Sequence, residues 1–130
     1  MTTKVATTDF FSSLLTVKPA KKGDSMEMKG LPRHYKNLRK KFPDYFAALE
    51  NLGREAKAMG PLDEKTVELL HLTAAAAIRS EGALHSHARR AAAAGATREE
   101  LYQALFSVTS TIGFPAVAAS ISWLEDIIKE

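Results

Sequence analysis

Residues 63–97 read DEKTVELLHLTAAAAIRSEGALHSHARRAAAAGAT, and this stretch decides the fold. Asp63 is a good N-cap, and Glu64 follows in the first turn, where the helix dipole favours an anion. The run from Val67 to Ile78 is too apolar for an ordinary surface helix, so a buried helix is expected there. The pattern breaks at Arg79-Ser80-Glu81-Gly82, where Ser80 can cap a further helix reaching Ala94. Gly95 then supplies a left-handed stop. Two helices joined by so short a break form a hairpin, and the rest of the chain is read outward from it.

On the C-terminal side, Thr97-Arg98-Glu99-Glu100 is a capping box, which predicts a helix over 98–111. Gly113 stops it, and Pro115 opens a last helix ending near residue 129. On the N-terminal side, Pro43 suits the first turn of a helix running to about residue 59, where Gly60-Pro61 ends it. Phe46, Leu49, Leu52 and Ala56 mark one face of that helix, and residues 31–41 allow one more short helix. No segment alternates with period two. The fold class is therefore all-α, a compact helical domain of about five to six helices built on a helical-hairpin core.

Residues 16–30 carry Pro19, Gly23, Gly30 and four lysines without an apolar period, which reads as a linker. The expected organisation is a basic N-terminal arm or linker over 1–30 and a helical domain over 31–130. Charge follows the same division. Residues 1–41 hold ten Lys/Arg against three Asp/Glu, a balance of +7, and the remainder holds eight against twelve, a balance of −4, giving +3 in total. Lys18, Lys21, Lys22, Lys36, Lys40 and Lys41 lack interleaved aromatic residues, so nucleic acid is not an expected partner.

The chain has no cysteine, which excludes disulfides, thiolate metal sites and thiol redox or nucleophilic chemistry. Near the N-terminus Phe10, Phe11, Leu14 and Leu15 are interrupted by Ser12 and Ser13, unlike a signal-peptide core, and no apolar run is long enough to span a bilayer. A cytoplasmic protein with no membrane partner is expected.

On the helix capped by Ser80, the residues Ser80, Leu84, His87 and Ala91 are spaced four, three and four, so the hydroxyl and the imidazole share one side. Glu68, on the preceding helix, can accept a ring N–H of His87 across the hairpin and leave the other nitrogen for substrate. The helix start at Ser80 offers free backbone N–H groups that suit a carboxylate or an enolate oxygen. Arg79, Arg89 and Arg90 can attract an anion, although Arg89 and Arg90 read more simply as a solvated face or a subunit contact. His85 is an i,i+4 partner of Glu81. No metal is expected, because His85 and His87 are two apart on a helix and point about 200° from one another. No cofactor is expected either, since there is no glycine-rich nucleotide loop and no Lys-centred cofactor motif.

Four blocks, Pro61 to Leu70, His87-Ala88-Arg89-Arg90-Ala91, Ala94 to Glu100 and Gly113-Phe114-Pro115-Ala116, stand in an order and spacing that resembles the carboxymuconolactone decarboxylase family, which includes the alkylhydroperoxidase D group. The resemblance covers about residues 40–128. In the family's peroxidase branch a Glu precedes a Cys-x-x-Cys pair by twelve residues, and a His lies four after the second Cys. Counted from Glu68, those positions are Ser80, Ala83 and His87, so the acid and the imidazole match and both thiols are replaced. A thiol peroxidase is thereby ruled out on chemical grounds. The decarboxylase branch also lacks the cysteine pair. Its pattern is met by Glu81, Leu84 and His87, while Ala83 stands where that branch often has an acid and Ser80 where it often has a base.

The resemblance implies cofactor-independent acid/base chemistry, a decarboxylation or isomerisation of a small carboxylated lactone or enolisable acid, with Glu68 and His87 catalytic and Arg79, Ser80, Glu81 and His85 binding substrate. The competing reading is a non-catalytic oligomer that kept the fold and binds a small acid or a protein partner. The resemblance also implies a homotrimer or homohexamer. Trp123, Ile127 and Ile128 are the apolar residues expected to be in excess of what a monomer covers.

Overall fold

A computed structural model describes residues 31–128. The proposed basic arm, residues 1–30, lies outside the described residues. The described elements are α1 (Arg33–Lys41), α2 (Pro43–Ala58), α3 (Glu64–Ala77), α4 (Glu81–Ala93), α5 (Arg98–Ser107), α6 (Thr109–Ile112) and α7 (Phe114–Ile127), with no strand among them. The all-α reading holds. The chain divides into two compact units, Met1–Met59 and Gly60–Glu130.

In the first unit, Pro43 occupies the first turn of α2, where its missing N–H costs nothing. The α1–α2 pair is joined by aromatic packing of Phe46 against Tyr35 and Tyr45 and by an Arg39–Glu50 ion pair. Of the face expected on α2, Phe46 is buried, but Leu49, Leu52 and Ala56 are exposed.

The second unit is built on the hairpin. Asp63 caps α3 by accepting the Thr66 N–H at 2.8 Å, and Ser80 caps α4 by accepting the Ala83 N–H at 3.3 Å. Between these helices the chain reverses in three residues. The Arg79 N–H bonds the Ala76 carbonyl at 3.2 Å and the Ser80 N–H bonds the Ala75 carbonyl at 3.0 Å, the paired bonds of a Schellman turn. Arg79 holds the left-handed position of this turn at φ 55°, where glycine is usual. Gly95 fills the equivalent place after α4 at φ 99°, with the Ala96 N–H returning to Ala91.

The core is one cluster of Leu72, Ala75, Ala76, Leu84, Ala88, Ala91, Leu101, Leu105 and Leu124, drawn from α3, α4, α5 and α7. Alanines on the facing sides of α3 and α4 let the two backbones approach closely. The Ser120 hydroxyl is buried in α7 and donates to the Ala116 carbonyl at 2.8 Å, so no polar atom is stranded there.

Three expectations are corrected. First, the helix over 98–111 is interrupted at Val108 and becomes α5 and α6. The Ser107 hydroxyl donates to the Ala104 carbonyl at 2.6 Å and the Thr109 hydroxyl to the Phe106 carbonyl at 2.7 Å, so side-chain oxygens compete for helix acceptors in a run of poor helix formers. Second, α3 is not buried all round: Glu68, Leu72, Ala75 and Ala76 are, whereas Leu70 and Ile78 are more than half exposed. Third, Trp123, Ile127 and Ile128 pack partly buried against the core, and the exposed large side chains of this unit include Leu62, Leu70, Ile78, Phe106 and Phe114 instead.

Candidate functional site

The hairpin turn sets the site. Glu68 lies two to three turns before the end of α3 and His87 two turns into α4, so reversal at 78–80 brings the two to similar heights on facing sides. His87 Nδ1 lies 2.8 Å from Glu68 Oε2, a hydrogen bond across the hairpin. Glu68 is 1% exposed, and the His87 side chain keeps 20% of its surface. With Glu68 ionised its carboxylate can only accept, and in that form Nδ1 carries the proton and Nε2 retains its lone pair. Burial pushes the His87 imidazole below its usual 6.5, outweighing the Glu68 hydrogen bond and charge that push it upward. A neutral ring near pH 7 is a base able to take a proton.

His71 joins this pair. It follows Glu68 by three residues on α3, which places both on one face, and its ring meets that of His87 edge-on with centroids 4.6 Å apart. One donor atom from each of Glu68, His71 and His87 falls within 4.8 Å of the other two, a set chemically able to hold a metal ion.

The residues around the start of α4 divide. Ser80 spends its hydroxyl on capping, and Arg79 is exposed at the turn. Glu81 and His85 point away from the His87 side and gather with Asp126 of α7: His85 Nε2 is 3.9 Å from Glu81 Oε1 and 3.6 Å from Asp126 Oδ2. This is a second group whose donor atoms lie within 4.8 Å of one another. The 200° separation between His85 and His87 is thus realised as two clusters on two faces of α4. Sequence reasoning missed Asp126 because nothing local links it to Glu81. His71 carried a weak signal, its three-residue spacing from Glu68.

No curated protein matches the chain. The model of the carboxymuconolactone decarboxylase family matches residues 43–126, from the first residue of α2 almost to the end of α7. With the greater part of its length so matched and no cysteine anywhere in its sequence, the chain belongs to the carboxymuconolactone decarboxylase family as a cysteine-free member.

Proposed function

We propose that this protein is an acid/base enzyme acting on a small carboxylated lactone or enolisable acid, by decarboxylation or isomerisation and without a cofactor. The observation that carries the reading is the 2.8 Å bond between a buried carboxylate and a partly exposed imidazole. Glu68 holds the ring and its tautomer, and Nε2 of His87 moves a proton to or from substrate. Loss of CO2, or removal of a proton ahead of double-bond migration, leaves negative charge that the substrate's own carbonyl delocalises until a proton returns to carbon, which asks of the protein only proton transfer and an anion contact.

Arg79 and the backbone at Ser80 are the proposed anion contacts, with Glu81 and His85 bordering that end of α4. The functional domain is taken as residues 31–130, with 1–30 a basic arm. A homotrimer or homohexamer is proposed on the strength of the exposed Leu70, Ile78, Phe106 and Phe114, which a second copy would cover. Among the described residues no helix is long and apolar enough to cross a membrane, and a cytoplasmic location is proposed.

NMR titration of the imidazole signals, with and without small carboxylated lactones and keto acids, tests the reading. The enzyme requires a His87 signal that moves on adding such an acid, and turnover that falls about equally in Glu68→Gln, in His87→Ala and in the double variant. If His87 ignores these acids and neither variant changes turnover, the protein is a non-catalytic oligomer instead.

A further inference from the structure

The apolar side chains left open on α2 are not scattered. Tyr45, Leu49, Leu52, Ala56 and Met59 follow one another at spacings of four, three, four and three, and Phe42 stands three residues before Tyr45 at the N-cap. At about 100° per residue, the positions from Tyr45 to Met59 all fall within about 40° of one line along the helix. The large side chains of this stripe, Phe42 included, are exposed by 46% to 74%. The charged residues of α2, Asp44, Glu50, Arg54, Glu55 and Lys57, lie outside it. The short α1 sits on a different side of α2, where Tyr35 meets Phe46 and Arg39 pairs with Glu50.

So large a stripe calls for a cover. Five side chains of this size, about half to three-quarters open, present on the order of 600 Å² of apolar surface, more than the few hundred Å² usual for one patch on a monomer. Two such stripes laid together bury on the order of 1,200 Å², which reaches the lower bound for a stable specific interface.

The stripe also complements itself. Its midpoint falls between Glu50 and Asn51, and an antiparallel pair centred there sets Tyr45 opposite Ala56 of the second copy, Leu49 opposite Leu52 and Phe42 opposite Met59. Large residues meet small ones and the layers stay even. A parallel pair would instead set Tyr45 against Tyr45 and Ala56 against Ala56, crowding one level and leaving a void at another. Alternating three- and four-residue spacing is the pattern that lets two helices interlock at a small crossing angle.

We propose that α2 is a two-fold interface, in which the stripe from Phe42 to Met59 packs antiparallel against the same stripe of a second copy of this chain. Such a contact uses one patch on both copies, so every assembly that satisfies it holds an even number of chains. Of the two assemblies proposed above, the hexamer can contain it on every copy and the trimer cannot. The surface is separate from Leu70, Ile78, Phe106 and Phe114, and from the Glu68–His87 pair.

Sedimentation velocity of the full chain at micromolar concentration, with engineered thiols as a second readout, tests the interface. The expected result is an even-numbered oligomer whose mass halves in Leu52→Glu and is unchanged in Arg54→Ala, off the stripe. Leu52 is exposed within the chain, and circular dichroism checks that the variant keeps its helices. Because the chain has no cysteine, introduced thiols report their contacts without background. Mild oxidation of Tyr45→Cys mixed with Ala56→Cys should give the mixed disulfide. Either variant alone should give none, because like positions then stand about 17 Å apart along the axis, beyond the roughly 7 Å that a disulfide can bridge. A monomer or a trimer, a mass indifferent to Leu52→Glu, a disulfide of Tyr45→Cys with itself, or no mixed disulfide would each overturn the proposal, the stripe then being covered in another way. None of these readouts depends on turnover, so failure here leaves the Glu68–His87 reading standing.

Discussion

Removing His87 from its partner is the most informative perturbation of the fold, because the partner is a carboxylate with 1% exposure. His87→Ala deletes a hydrogen bond to a charged group, which costs about 1.5–3 kcal/mol, and it leaves a desolvated carboxylate less well compensated. A loss of about 2–3 kcal/mol is expected. Glu68→Leu removes the same bond but also removes the group that was costly to bury, and the His87 ring, which keeps 20% of its surface, can still reach water. Its cost should be smaller, about 1 kcal/mol. Once Glu68 is leucine, truncating His87 no longer takes a hydrogen bond from a buried acid, so the double variant should fall short of the sum by about 1.5–2 kcal/mol. Urea denaturation followed by circular dichroism measures this. With a slope of about 1–1.5 kcal/mol/M for a chain of this size, the shortfall is a midpoint difference of roughly 1 M or more. A coupling below about 0.5 kcal/mol would refute the reasoning, since it would mean the two side chains are independent despite their 2.8 Å contact.

Arg79→Gly should stabilise the second unit by about 0.5 kcal/mol, because relief of the left-handed φ of 55° exceeds the added freedom of the unfolded chain, and a lowered urea midpoint would contradict this. Leu84→Ala, at a position with no exposed surface in the core cluster, should cost about 2–5 kcal/mol in the same assay, and a cost below about 1 kcal/mol would show that the α3–α4 interface collapses freely. Acid should weaken the caps. Hydrogen bonds to Lys65 and to the Thr97 N–H hold Glu100 below the usual 4.5, and hydrogen bonds to Thr66 hold Asp63 below 3.8. Their contribution is thus full above these values and lost as pH falls through the lower folded ones. Glu100→Gln should flatten the decline of the urea midpoint below pH 4.5, and an unchanged pH profile would show that the cap carries no linkage.

Much of the fold was legible in the sequence because helix ends are local chemistry. Asp63, Ser80 and Thr97 act as the caps expected of them, and Gly95 takes the left-handed stop. The Glu68–His87 contact was legible for a related reason. Once the break at 79–82 is short, the hairpin is nearly forced, and residues at matching distances from the turn must face one another. Periodicity failed where burial depends on something the sequence does not place nearby. Leu49 and Leu52 on α2, and Leu70 on α3 with Ile78 at its C-cap, have apolar spacing and yet stand exposed, because spacing says which side chains share a face and not what covers it. The α5–α6 break likewise depended on whether Ser107 and Thr109 turned their hydroxyls onto backbone carbonyls. Asp126 is the clearest case. Its meeting with Glu81 and His85 depends on α7 packing along α4, a contact between elements distant in the chain, and no local pattern encodes that arrangement. Local hydrogen bonding and chain reversal therefore determine the helices and the Glu68–His87 pair, whereas the packing of distant helices decides which faces stay open and which side chains form the second cluster.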